Sequence, residues 1–221
     1  MKNIAILSGD LINSSEYEST TLKAVVTTLK KEFAVIEAQY PGERISFSIY
    51  RGDSFQGVVE NPVLALTIAL QIKAAVNAVT NAEVSKSTTP IAGIRISIGI
   101  GEATYQKDAL AESNGEAFQY SGRTLDIMKA EGMKMALTTA NADVNSEFKV
   151  QLKFLDATTD RWSIASAEVV YFLLKGYKEQ EIATELSRSQ AAINLRKKAA
   201  GWDEIKLLLE RYTQVAQQYF V

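Results

Sequence analysis

Residues 94–101 read Ile-Arg-Ile-Ser-Ile-Gly-Ile-Gly, with isoleucine at every second position. Side chains alternate between the two faces of a strand, so this run has one wholly apolar face and leaves Arg95, Ser97, Gly99 and Gly101 on the other. Such a strand belongs in the middle of a sheet, with a core on its isoleucine side. The glycines leave room for another backbone to pack closely against the strand. They do not make a dinucleotide fingerprint, because Thr104 stands where a third glycine would be and no helix start follows directly.

Other elements fall into place around that strand. Residues 4–7, closed by Gly9-Asp10, read as a short buried strand. Leu22, Val25, Val26, Leu29, Phe33 and Ile36 then recur at helical spacing up to Tyr40-Pro41-Gly42. Ile45, Phe47 and Ile49 alternate with Ser46, Ser48 and Tyr50, and a second run follows at 55–59. Gly52-Asp53 between them suits a tight hairpin. Asn61-Pro62 can cap a helix whose face is Leu64, Ile68, Ile72, Val76 and Val79, ended by the polar residues 85–89 and Pro90. After residue 102 a polar loop, a helix over 115–130 and a strand over 133–138 complete β-α-β-β-α-β with one more α-β pair. That order predicts an α+β fold, a ferredoxin-like sheet with helices on one face, over residues 1–140.

Residues 141–161 fit two periods. Phe148, Val150, Leu152 and Phe154 alternate as in a strand, whereas Phe148, Leu152, Leu155 and Trp162 fit a helix. We read a connecting helix, because the apolar face continues onward.

From Trp162 the texture is helical. A helix over 178–186, a polar break at Ser187-Arg188-Ser189 and a helix over 190–199 match a helix-turn-helix, with Ile182, Ala183 and Leu186 against Ile193. Residues 161–221 hold nine basic and seven acidic side chains, against 15 and 19 in the rest. Arg188, Gln190, Asn194, Arg196, Lys197 and Lys198 are therefore the candidate DNA-contacting residues of a small domain over 162–221. The bland alternative is a helical bundle used for dimerisation.

Composition narrows the chemistry. The formal charge of -2 excludes a wholesale polyanion binder, and neither cysteine nor histidine is present. Disulfides, thiolate ligands, imidazole ligands and imidazole general bases are all excluded. Catalysis would rest on carboxylates, lysine, arginine, hydroxyls or bound metal. The apolar run near the start is too short for a signal peptide and no later stretch could span a bilayer, so a soluble cytoplasmic protein is expected.

Two carboxylates sit where metal chemistry would want them. Asp10 ends the first strand, and the free amides of Asn13, Ser14 and Ser15, at the start of the following helix, could receive phosphate oxygens. Asp53 lies in the hairpin beside that strand. Paired hard oxygen ligands are what magnesium or manganese requires. Each aspartate alone also suits a plain turn.

Four segments carry a family resemblance: Asp10-Leu11, Gly52-Asp53, Arg95 through Glu102, and Gly115, Phe118, Gln119, Ser121 and Arg123. In that order they resemble the catalytic fold of class III nucleotide cyclases. The resemblance implies a homodimer in which Asp10, Asp53 and the Leu11 position hold Mg or Mn. Arg123 would contact the phosphates across the interface, with Gln119 at the transition-state position. Two departures are visible: Ile49 replaces a base-reading lysine, and Gln119 replaces an asparagine. The whole chain is similar to the SatD family, on the run Gly176-Tyr177-Lys178-Glu179-Gln180-Glu181-Ile182-Ala183 with Trp162 upstream. The expectation is a dimeric DNA-binding transcription regulator whose sheet domain binds a nucleotide or metal-phosphate ligand. The alternative is an active nucleotide cyclase or related two-metal phosphoryl-transfer enzyme.

Overall fold

The computed structural model describes residues 2–50, 52–80, 88–105 and 113–221; Arg51, residues 85–87 of the polar break and loop residues 106–112 lie outside them. Strand β1 (Asn3–Leu11) passes through a 3-10 turn (Ser14–Glu16) into helix α1 (Ser19–Gln39). The hairpin β2 (Ile45–Tyr50) and β3 (Ser54–Val59) follows, then a 3-10 turn (Pro62–Leu64) and α2 (Ala65–Asn77). Strand β4 (Ile94–Thr104), the short β5 (Asn114–Gly115), helix α3 (Glu116–Met128) and β6 (Met135–Thr138) complete the sheet. Its order is β2-β3-β1-β4, with β6 parallel to β4 and β5 on the far end of β4.

The isoleucine strand is central, as its alternation requires. It pairs antiparallel with β1 from Asn3↔Glu102 to Leu11↔Ile94. Ile94, Ile96, Ile98 and Ile100 are buried in one core with Ala5, Leu7 and Leu11 and the apolar faces of α1 and α2. Burial of each such side chain contributes on the order of 2 kcal/mol.

Helices on a single face were expected; the structure instead places α3 on the other. Ala117 and Phe118 of α3 pack on Ile4, Ile6 and Val58, the outward members of β1 and β3. The cause is Gly99. A Cβ there would lie 2.2 Å from the Ala117 carbonyl oxygen and 2.5 Å from the Ser121 amide. Only glycine lets the α3 backbone come this near the strand. A hydrogen bond of 3.0 Å between the Ser8 and Ser121 hydroxyls holds the same crossing.

Helix α4 (Ala142–Thr159) settles the ambiguous segment. Asn141 caps it through the amides of Asp143 and Val144, and Phe148, Leu152 and Leu155 enter the main core. Val150 and Phe154, the residues that made the pattern alternate, are exposed.

Four helices follow: α5 (Ile164–Leu174), α6 (Glu179–Glu185), α7 (Gln190–Ala199) and α8 (Trp202–Tyr219). They do not close on themselves. Trp162, Ala167, Val170 and Leu174 around α5, and Ile205, Tyr212 and Val215 of α8, belong to the main core. The Tyr212 hydroxyl donates to the Pro62 carbonyl at 2.7 Å, and that of Tyr171 to Glu32 Oε2 at 2.8 Å. Helices α6 and α7 have a small cluster of their own, Ile182, Ala183 and Ile193 with Val169 of α5. No described helix is long and apolar enough to cross a membrane.

Two alanine substitutions separate close approach from helix propensity. Gly99→Ala should lose about 1–3 kcal/mol in denaturant unfolding, because strand and helix must part. Gly122→Ala, inside α3 with nothing within 4 Å of its new Cβ, should gain about 0.5–1 kcal/mol. Equal effects would refute the seating of α3 on Gly99.

Candidate functional site

The site grows from the C-terminal end of β1. Asp10 stands opposite Ser54 of β3 on one side and Arg95 of β4 on the other. The Leu11 amide donates to the Asp53 carbonyl at 3.0 Å, which brings the hairpin turn against the strand end. Asp10 and Asp53 thus lie at neighbouring strand ends.

Their side chains are already engaged. Arg95 grips Asp10 with both arms, Nε to Oδ1 at 2.8 Å and Nη2 to Oδ2 at 2.7 Å. The Arg95 side chain is 11 % exposed and that of Asp10 29 %, so the pair sits at a half-shielded edge. The hydrogen bond to Asp10 outweighs burial and raises the pKa of the guanidinium further. Among the described residues Asp53 is held only by hydroxyls, Ser14 Oγ donating to Oδ2 at 2.7 Å and Ser54 Oγ to Oδ1 at 3.3 Å.

This donor set suits a hard cation, within limits. Magnesium is usually bound by one or two carboxylates, with phosphate oxygens and water supplying the rest. Asp53 meets that need best, since hydroxyls yield to a cation more readily than a guanidinium does. Asp10 brings its charge already matched by Arg95. The Leu11 side chain is buried in the main core, so only its carbonyl could serve. Among the described residues no group of three or more carboxylates gathers at one point.

Asn13, Ser14 and Ser15 differ from expectation. They do not open the long helix, which starts at Ser19; Asn13 is left-handed at φ 54° and leads a single 3-10 turn. Three residues carry too few aligned peptide dipoles to attract phosphate as a helix terminus does. What the turn supplies is the Ser14 hydroxyl on Asp53.

Gln119 and Arg123 are exposed, one helical turn apart on α3. Ala117, Phe118, Ser121, Thr124 and Met128 are its buried positions, so both polar side chains leave from the side away from the sheet. No hydrogen bond or ion pair holds Arg123 among the described residues. Ile49 is partly buried against the main core and offers no hydrogen-bonding group with which to read a base.

The candidate DNA-contacting residues divide. Helices α6 and α7 are joined through Ser187, left-handed at φ 51°, and Ser189, which caps α7 on the Ala192 amide. Arg188, Gln190 and Lys198 are exposed. The expected free basic face is otherwise reduced. Lys197 bonds Glu179 at 3.0 Å, Asn194 reaches the same carboxylate at 3.4 Å, and Arg196 lies 3.8 Å from Glu168. Acids of α5 and α6, distant in sequence, neutralise that part of α7.

Arg95 is the residue that sequence reasoning passed over. It was visible as the polar member of the isoleucine strand, but its pairing with Asp10 depends on antiparallel register, which no local pattern encodes.

No protein-family model matches the sequence, and no curated protein matches it either. Among solved structures it is similar to the monomeric guanylyl cyclase domain of the RhoGC fusion protein from Blastocladiella emersonii, at 18 % identity and a TM-score of 0.43, over 57 % of this chain and 75 % of that one. The active GGEEF domain of a diguanylate cyclase from Vibrio cholerae is similar at 16 % identity and 0.43, over 63 % and 84 %. A bacterial light-regulated adenylyl cyclase follows at 15 % identity and 0.42, over 62 % and 76 %.

A double-mutant cycle on Asp10→Asn and Arg95→Met measures how firmly the site is built. We expect a coupling of about 1–3 kcal/mol by urea unfolding, with each single change destabilising. Coupling near zero would mean that the pair is no more than a surface contact.

Proposed function

We propose that the sheet domain is a cyclase-type site that holds a nucleoside triphosphate as its magnesium or manganese complex and transfers phosphorus between oxygens. The carrying observation is that Asp10 and Asp53 lie at neighbouring strand ends, with Asp53 anchored by exchangeable hydroxyls. Asp53, with the Leu11 carbonyl and one oxygen of Asp10, would hold the cation. A divalent ion bound there acts as a Lewis acid on phosphate oxygens. Arg95 orients Asp10, while the Ser14 hydroxyl positions Asp53.

The exposed side of α3 sets the assembly. Gln119 and Arg123 leave the chain away from the sheet that carries Asp10, so a second copy is the natural source of a guanidinium for the triphosphate. Gln119 keeps the amide of the asparagine it replaces, one methylene further out. The site therefore belongs to a homodimer, and base recognition falls to residues other than Ile49.

Manganese-dependent binding of each nucleoside triphosphate, followed by pyrophosphate release, tests this reading. The wild type should bind at least one nucleotide and release pyrophosphate, and Asp53→Asn should lose both. Arg123→Ala should keep binding and lose about a hundred- to a thousandfold in rate. A protein that binds no nucleotide would refute the site. One that binds without turnover would leave a nucleotide sensor.

A second reading is supported by the turn between α6 and α7. That geometry, with Arg188, Gln190 and Lys198 outward, suits the major groove of DNA, and two copies would contact two half-sites. Reversing charge at Arg188 and Lys198 should then weaken binding to duplex DNA and lower the slope of log affinity on log salt by about 0.9 per lost phosphate contact. Binding unaltered by that double change would leave α6 and α7 as packing helices.

A further inference from the structure

Helix α2 runs through the middle of the protein with almost every residue buried. One of them is Lys73, 2 % exposed. Its ammonium has no hydrogen bond and no ion pair among the described residues. The carboxylate that acts on it most strongly, Asp156, is itself buried, and its Oδ1 has no hydrogen-bond partner among the described residues. Its Oδ2 accepts the Lys134 amide at 2.7 Å and the Met135 amide at 3.3 Å. Burial lowers the Lys73 pKa to about 8, against the pull of Asp156 and with the push of Lys134. Asp156 offsets part of this charge without a direct bond to the ammonium, and a further anion beside Lys73 would lower the remaining cost of its burial.

Lys73 does not face a dry core. It lines a cleft of about 330 Å³ with Asn77, Tyr17, Asn13, Lys134 and Asp160. Asn77 is 6 % exposed, and no hydrogen bond engages its side-chain amide among the described residues. The Tyr17 hydroxyl accepts the Gly93 amide at 3.1 Å, which leaves its own proton to donate. The acids of the cleft are Asp160, already bound by the Lys134 ammonium at 2.5 Å, and Glu16, exposed. An ammonium and an amide one helical turn apart on α2, and a hydroxyl from the segment after β1, are thus available as donors. Water alone can satisfy an amide or a hydroxyl, but it does not balance a buried positive charge.

We propose that this cleft binds a small oxyanion, a carboxylate or phosphate group, seated on Lys73 and completed by Asn77 and Tyr17. Lys134 also lines the cleft, with its charge shared by Asp160. The cleft shares no lining residue with the Asp10–Asp53 edge, and its binding does not depend on the function proposed there.

Thermal unfolding at constant ionic strength tests the proposal, with chloride replaced by inorganic phosphate in one arm and by acetate in the other. A ligand that binds only the native state raises Tm in a saturable way. The wild type should show such a rise. A response to phosphate alone assigns a phosphate group, and a response to acetate as well assigns a carboxylate. Lys73→Met should bind about tenfold or more weakly, as loss of a charged hydrogen bond requires, while Asp53→Asn should respond as the wild type does. Lys134→Gln changes a partly exposed side chain, keeps the fold, and should weaken binding several-fold by roughly the effect of one screened charge. No saturable rise in either arm overturns the site. So does a response that survives in Lys73→Met or vanishes in Asp53→Asn. If Lys73→Met fails to fold, unchanged affinity in Lys134→Gln overturns it.

Discussion

The contact between Gly99 and the backbone of α3 governs how this molecule is arranged. With a side chain at position 99 the helix could not lie on the second face of the sheet, because Ala117 and Ser121 occupy the space a Cβ would need. Seated there, α3 covers Ile4, Ile6 and Val58, which would otherwise be exposed. The same seating decides the direction of every α3 side chain. Ser121 and Thr124 turn inward to Ser8 and Thr138, and Gln119 and Arg123 turn outward.

The sheet is consequently asymmetric. One face is an aliphatic core shared with α1, α2, α4, α5 and α8. The other begins apolar beneath α3 and becomes polar toward the end of β1, through Ser8, Ser97, Asp10 and Arg95. The Ser97 hydroxyl is buried with no partner among the described residues. An ion pair at such a half-shielded edge serves orientation more than stability, since desolvation offsets much of the Coulomb attraction. Its effect is to fix the Asp10 carboxylate beside the hairpin turn that carries Asp53. Chemistry at this edge is therefore positioned by the fold's most regular part, two antiparallel strands in register.

The C-terminal helices show how far texture can mislead about organisation. Residues beyond 161 read as a small helical unit, and they are helical. Yet Trp162 buries its ring in the main core and donates from Nε1 to the Ala200 carbonyl at 2.9 Å, and Tyr212 is buried against Pro62. Helices α5 and α8 are walls of the sheet domain; α6 and α7 project from it on a small cluster of their own. Glu32 of α1 ties α2 and α5 together, hydrogen-bonded to both Gln71 and Tyr171.

Much of this was legible in the residues. Period-two and helical spacing found β1 to β4, α1, α2 and the pair α6–α7, because amphipathic burial leaves a periodic trace in any chain. Helix-cap chemistry was legible at Asn61, which accepts the Val63 amide. The aspartates, Gln119 and Arg123 stood out through the family resemblance, which orders them along the chain. Partnership was not legible. That Arg95 grips Asp10, that Glu179 and Glu168 draw off the charge of Lys197 and Arg196, and that Lys73 lies unpaired beside a cleft all depend on residues far apart in sequence. Local pattern records which face of an element is apolar; only the tertiary structure decides which face of which other element it meets, because register and crossing are set by packing over the whole core.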